Sequence, residues 1–220
     1  MTDPVVVTSI TQGGLGILGG TFDPVHIAHL AVAEEARETL GLERVLFVPA
    51  GIPPHKLTHA ITPGEDRLAM VELAIADNHA FATSRIELDR DGPSFTVDTL
   101  QALHDQRRAA GESAALVLIV SAEAFGGFAT WREPHRVLRL AIVAVAPRDG
   151  FPDATPATVA RDFPGLEDRV VLLDGPRLRL SASELRARAA AGRSLRYLVP
   201  DAVAAHIEDH ALYRDPRRTP

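Results

Sequence analysis

Five short apolar runs rich in branched side chains, separated by stretches patterned like helices, constrain this chain more than any other feature: LGIL (15–18), RVLFVP (44–49), ALVLIV (115–120), LAIVAVA (140–146) and RVVLL (169–173). Their hydrophobicity is continuous rather than alternating, the pattern of strands covered on both faces. Such strands, separated by helices, form parallel sheets through right-handed crossovers. The chain is therefore read as α/β: a single Rossmann-like doubly wound parallel sheet with a small C-terminal helical segment. Helices are expected at 27–40, 64–77, 94–110, 133–139, 182–191 and 200–210, with Gly41 and Gly192 as stops. SRIELDRDGPSF (84–95) reads as a shorter, more polar strand with a turn, and the proline-containing stretch 147–166 as a mobile loop. The expected organisation is a loosely ordered extension over 1–13, one domain over 14–213 and a flexible tail over 214–220.

Composition narrows the function classes. With 220 residues, 46% of them hydrophobic, the chain is long enough to bury a substantial core. No apolar run approaches the roughly 18 residues of a membrane helix, and MTDPVVVTSITQGG has neither the basic start nor the apolar centre of a signal peptide. A cytoplasmic location with no membrane partner is expected. The net charge of −6 argues against nucleic acid as a partner. The absence of cysteine removes disulfides, thiolate metal sites and cysteine nucleophiles. A homo-oligomer is left open.

Paired glycines and paired histidines fall within one strand-to-helix turn, ILGGTFDPVHIAHLA (17–31). GLGILG (14–19) has the form of the G-x-G-x-x-G dinucleotide fingerprint, but it sits inside the strand instead of opening a helix, so that reading is set aside. Gly19 and Gly20 stand instead at the carboxyl end of the first strand, where open α/β sheets bind ligands and where glycine lets a phosphate approach the backbone. His26 and His29 are separated by about 60° around a helix, so they share a face of its first turn, where amides and dipole favour an anion. The alternative is one solvated and one packed histidine. A zinc site lacks a third ligand at suitable spacing, and no metal-ligating set is expected.

Other residues carry two readings each. Lys56, the single lysine among 23 basic residues, is either a solvated loop charge or a compact cation for a phosphate. Ser181 and Glu184 match the S-x-x-E capping box at a helix start. Arg186 either pairs with Glu184 or meets a ligand. Trp131, the sole tryptophan, packs in the core by default. Arg148 is a surface charge or an anion grip.

GGTFDPVHIAH (19–29) resembles the G-G-x-F-D-P-x-H-x-G-H signature of nucleotidyltransferases that join ATP to a phosphate-bearing acceptor. FVPAGIPPHK (47–56), GPSFTVDTL (92–100), FATW (128–131) and the segment 180–213 are similar, in order and spacing, to bacterial nicotinate-nucleotide adenylyltransferases. The resemblance spans nearly the whole chain after residue 14 and makes 14–213 a nucleotidyltransferase domain. It implies adenylyl transfer from ATP, with Mg²⁺, to nicotinate mononucleotide. The catalytic residues it implies are His26, His29, Lys56 and Arg186, with His55 assisting Lys56. The ATP site would add Gly19, Gly20, Thr21 and Phe22 on one side and Ser181 and Ser183 on the other. The acceptor site would comprise Asp23, Thr96, Glu123, Trp131 and Arg148, Trp131 stacking on the pyridine ring and amides near Thr96 receiving its carboxylate.

The chain departs from the family pattern at three places. Ala28 stands where glycine is usual, Asp149 replaces a proline after Arg148, and SAE (121–123) replaces a G-x-D motif, leaving Ser121 and the longer Glu123. These changes bear on acceptor affinity more than on reaction class. The alternatives are the same chemistry on nicotinamide mononucleotide or phosphopantetheine, or a nucleotide-binding sensor without turnover.

Overall fold

 The computed structural model describes residues 11–53, 61–112 and 115–214. Six strands, all parallel, form one sheet: β1 (Leu15–Gly20), β2 (Arg44–Pro49), β3 (Phe81–Thr83), β4 (Leu116–Ser121), β5 (Ile142–Ala146) and β6 (Val170–Leu172), in the order β3-β2-β1-β4-β5-β6. The chain winds outward from β1 to β3, crosses back, and winds outward again from β4 to β6. The two halves diverge between β1 and β4, the switch point at which doubly wound sheets open a crevice.

Helices cover both faces, as the continuous hydrophobicity required. Successive residues of β1 serve opposite cores: Leu18 packs with Ala33 and Ala36 of α1 (Ile27–Thr39), and Ile17 with Val97 and Leu100 of α3 (Thr96–Ala109). The first face also carries α2 (Gly64–Ile75), α7 (Ala182–Ala190) and α8 (Asp201–Asp209). The second carries α4 (Ala122–Gly126), α5 (Pro134–Leu140) and α6 (Pro156–Asp162). Ala33 and Ala36 are fully buried, and their small side chains let α1 approach the sheet closely. Gly41 ends α1 at φ +62°, where a Cβ would also meet the Gln12 side chain at 2.4 Å.

Every expected helix is present with its ends within two residues of the expectation, and the five expected strands are present. Two local expectations need correction. The sixth strand lies at 81–83, just ahead of SRIELDRDGPSF, which forms a turn and a single bridge from Pro93 to Ile52. The stretch 147–166 contains α6, started by Pro156 and capped by Thr155 Oγ1, which accepts the Thr158 amide at 3.2 Å. Residues 1–10 and 215–220 of the expected extension and tail lie outside the described residues. Thr11, also placed in the extension, is instead fully buried and donates to the Leu40 carbonyl at 2.6 Å. Among the described residues, no helix is long and apolar enough to cross a membrane.

Candidate active site

A cavity of about 470 Å³ opens at the switch point, between Gly19 and Gly20 ending β1 and Ser121 ending β4. A Cβ on Gly19 would meet nothing within 4 Å, so the missing side chain leaves open space beside the backbone. Thr21, His26, His29, Thr96, Trp131 and Arg148 line the same cavity. Sequence reading therefore named residues from four separate segments that the fold brings to one place. Ala28, which stands where the family pattern has glycine, lines it too.

His26 caps α1 with extended backbone, φ −146°. Its ring stacks on His29, with centroids 3.7 Å apart. The backbone N–H of His26 donates to Nδ1 of His29 at 3.2 Å, which leaves the His29 ring proton on Nε2. Burial pushes His26 down to about 4, and the nearby Arg148 charge adds to this. His29 is held well below the ordinary imidazole range by burial and then by the charges of His26 and Arg148. Both rings are thus neutral near pH 7 and donate through single N–H groups. Nδ1 of His26 is buried without a partner among the described residues. The helix start is less open than the sequence implied, because the Ile27 amide donates to Leu198 O at 3.2 Å and the His29 amide to His26 O at 2.9 Å.

The start of α3 lines the same cavity. Thr96, its first residue, lines the cavity, and the Phe95 cap supplies no side-chain acceptor to this helix end. Trp131 is half-buried, its ring 5.0 Å from that of Phe128, so it combines core packing with a face on the cavity. Arg148 pairs with Glu123 at 3.0 Å and also donates to the Leu180 carbonyl at 3.5 Å. The two predicted acceptor ligands thus hold one another, in a part-exposed pair of the kind that contributes little to stability.

Several predicted residues stand elsewhere. Phe22 is 2% exposed, its ring 5.1 Å from His29, so it supports that imidazole from the core side. Asp23 does not line the cavity: it is 3% exposed, and its Oδ1 accepts the Tyr213 hydroxyl at 2.7 Å. Ser181 starts α7 without a side-chain cap bond, so the S-x-x-E capping box is not formed. It lines a second cavity of about 400 Å³ that shares Leu180 with the first. Arg186 bonds the Asp23 carbonyl at 2.6 Å and the Ser183 hydroxyl at 3.2 Å rather than Glu184. His55 and Lys56 lie outside the described residues.

Glu87 is a site residue that the sequence reading missed. It lines the cavity at 8% exposure and accepts the Thr99 hydroxyl at 2.7 Å. Burial raises its carboxyl above the ordinary range, while hydrogen bonds from Thr99 and Ser94 pull it back. Ser94 in turn accepts the Gly51 amide at 3.0 Å, so Glu87 ties the loop after β2 to the start of α3. The signal available was an acid five residues before the start of the GPSF turn, which alone does not distinguish a buried group from a surface one.

The cytidylyltransferase-like family matches residues 17–188, most of the chain. The chain belongs to that family. Its relatives include probable nicotinate-nucleotide adenylyltransferases of Roseiflexus sp. strain RS-1, 51% identical over 93% of this chain and 100% of the relative, and of Herpetosiphon aurantiacus, 47% identical over 90% and 98%. At this identity and coverage the chain falls among the nicotinate-nucleotide adenylyltransferases. Among solved structures, nicotinic acid mononucleotide adenylyltransferase of Plasmodium falciparum complexed with NaAD superposes with a TM-score of 0.73, covering 90% of this chain and 96% of that one. At 16% identity that likeness speaks for the fold.

Proposed function

We propose that this family member transfers the adenylyl group of ATP to nicotinate mononucleotide in NAD biosynthesis. A phosphate oxygen of the mononucleotide attacks the α-phosphorus of ATP, the bond to the bridging oxygen breaks, and pyrophosphate leaves as deamido-NAD forms. The nucleophile is already ionised, so no general base is needed and catalysis rests on alignment and charge stabilisation.

The observation that carries this reading is the neutral, stacked His26–His29 pair lining a cavity that Thr96 at the start of α3 also lines. Neutral imidazoles donate N–H groups to phosphoryl oxygens at physiological pH with no change of protonation state. In this reading Gly19, Gly20 and the histidines hold the ATP phosphates, with Lys56, Ser183 and Arg186 completing the set. Trp131, Thr96 and Arg148 receive the pyridine mononucleotide, and Glu123 competes for Arg148 until the acceptor phosphate displaces it.

Mg²⁺ enters as part of the ATP substrate and neutralises phosphate charge. Among the described residues, no group of three or more His, Cys, Asp or Glu stands ready to cage it. The test is pyrophosphate release from ATP and Mg²⁺ with nicotinate mononucleotide, nicotinamide mononucleotide and phosphopantetheine compared as acceptors. Preference for the nicotinate acid is expected. Preference for another acceptor would change the substrate and keep the chemistry, while ATP binding without release would indicate a sensor.

A further inference from the structure

Asp23 joins four segments that are remote in sequence. Its Oδ1 accepts the hydroxyl of Tyr213, 190 positions away, at 2.7 Å. Its Oδ2 accepts the Thr62 amide at 3.4 Å and lies 3.9 Å from Nη1 of Arg186. The same nitrogen donates to the Asp23 main-chain carbonyl at 2.6 Å. Arg67, 2% exposed, braces the surroundings by donating to Thr62 O and Thr21 O, each at 2.8 Å.

The position of Arg186 thus depends on where the Asp23 peptide sits, and Tyr213 grips the side chain of that residue. The tyrosine ring already packs against the apolar cluster beneath α2 and α8, so its burial does not require a hydroxyl. Tyr213 also holds φ +64°, a conformation bulky L-residues adopt only when their surroundings dictate it. Two of the five guanidinium donors of Arg186 are spent on Asp23 O and Ser183, which fixes the fork and leaves the others to meet an anion.

We infer that Tyr213 is a positioning residue for phosphate binding: through Asp23 it fixes the carbonyl on which Arg186 docks, and so sets the guanidinium toward the ATP phosphates. This rests on the proposed role of Arg186 in adenylyl transfer. Asp23 is thereby a scaffold for the ATP side of the site rather than an acceptor ligand.

Tyr213→Phe in the full chain keeps the ring and deletes the hydrogen bond. We expect kcat to fall five- to twentyfold, the KM of nicotinate mononucleotide to stay within twofold, and the Kd of α,β-methylene ATP to rise at least threefold. In an Arg186→Ala background the same change is expected to cost less than twofold in either quantity. Asp23→Asn reads the link from its other end and should weaken analogue binding in the same direction. A variant with a lower Tm but unchanged kcat and Kd would make Tyr213 a plain structural staple and overturn the inference. So would full losses persisting without Arg186. Wild-type protein that binds the analogue yet transfers nothing would overturn the functional reading, while the Kd comparison would still decide for or against Tyr213.

Discussion

His29 stacks on His26 with ring centroids 3.7 Å apart and accepts its partner's backbone N–H at 3.2 Å. One contact fixes ring orientation and the other fixes the tautomer. Together with burial they produce two neutral donors side by side, where a pair of exposed imidazoles would share charge with solvent near pH 6.5. Replacing His29 by Ala removes one donor and the support of the other. We expect kcat to fall by about 10²–10³, the scale of losing a preorganised donor to developing charge, with the far-UV circular dichroism unchanged. Unchanged turnover would take the pair out of the chemistry.

The lowered His26 also makes a stability prediction. Its folded value is about 4 against an unfolded value of 6.5, so between those limits the unfolded chain binds more protons. The stabilisation is fully present above pH 6.5 and is lost as pH falls toward 4, by about 3 kcal/mol for His26. His29 adds in the same direction. Urea melts at pH 7.0, 5.5 and 4.5 measure this, and His26→Gln should flatten the acid limb.

Trp131 presents a face to the cavity while resting on Phe128. Trp131→Ala is expected to raise the KM of nicotinate mononucleotide about tenfold, equivalent to about 1.4 kcal/mol, and to leave that of ATP within twofold. Equal effects on both substrates would refute ring stacking.

The 3.0 Å pair of Arg148 and Glu123 predicts opposite effects of its two members. Arg148→Ala removes an anion grip and should raise the acceptor KM about tenfold. Glu123→Gln removes the competitor and should lower that KM about threefold. Initial-rate kinetics at fixed ATP separate these outcomes.

Glu87→Ala leaves the Thr99 and Ser94 hydroxyls without their shared acceptor in a buried setting. The expected destabilisation is about 1–3 kcal/mol. The acceptor KM should rise as well, because the loop at Gly51 and the start of α3 lose their tie. A calorimetric Tm and acceptor kinetics check the two effects separately.

Much of the fold was legible because its signals are local. Runs such as IVAVA in β5 are apolar throughout, which identifies a strand covered on both faces before any partner is known. Gly41, Pro156 and Thr155 are punctuation whose effect is set within a few residues, although α6 was overlooked among its prolines. The edge strand Phe81–Thr83 escaped because three half-buried residues carry no usable period.

At the candidate site, the sequence by itself determined which chemical groups are present and that the glycines end a buried strand where the histidines begin a helix. Only the tertiary structure decided what those groups do to each other. It made both histidines neutral, paired Arg148 with Glu123, buried Asp23 under Tyr213, and set Glu87 between two hydroxyls. Periodicity and turn chemistry act over a few residues, whereas burial, charge state and hydrogen-bond partners depend on segments up to 190 positions apart meeting in space.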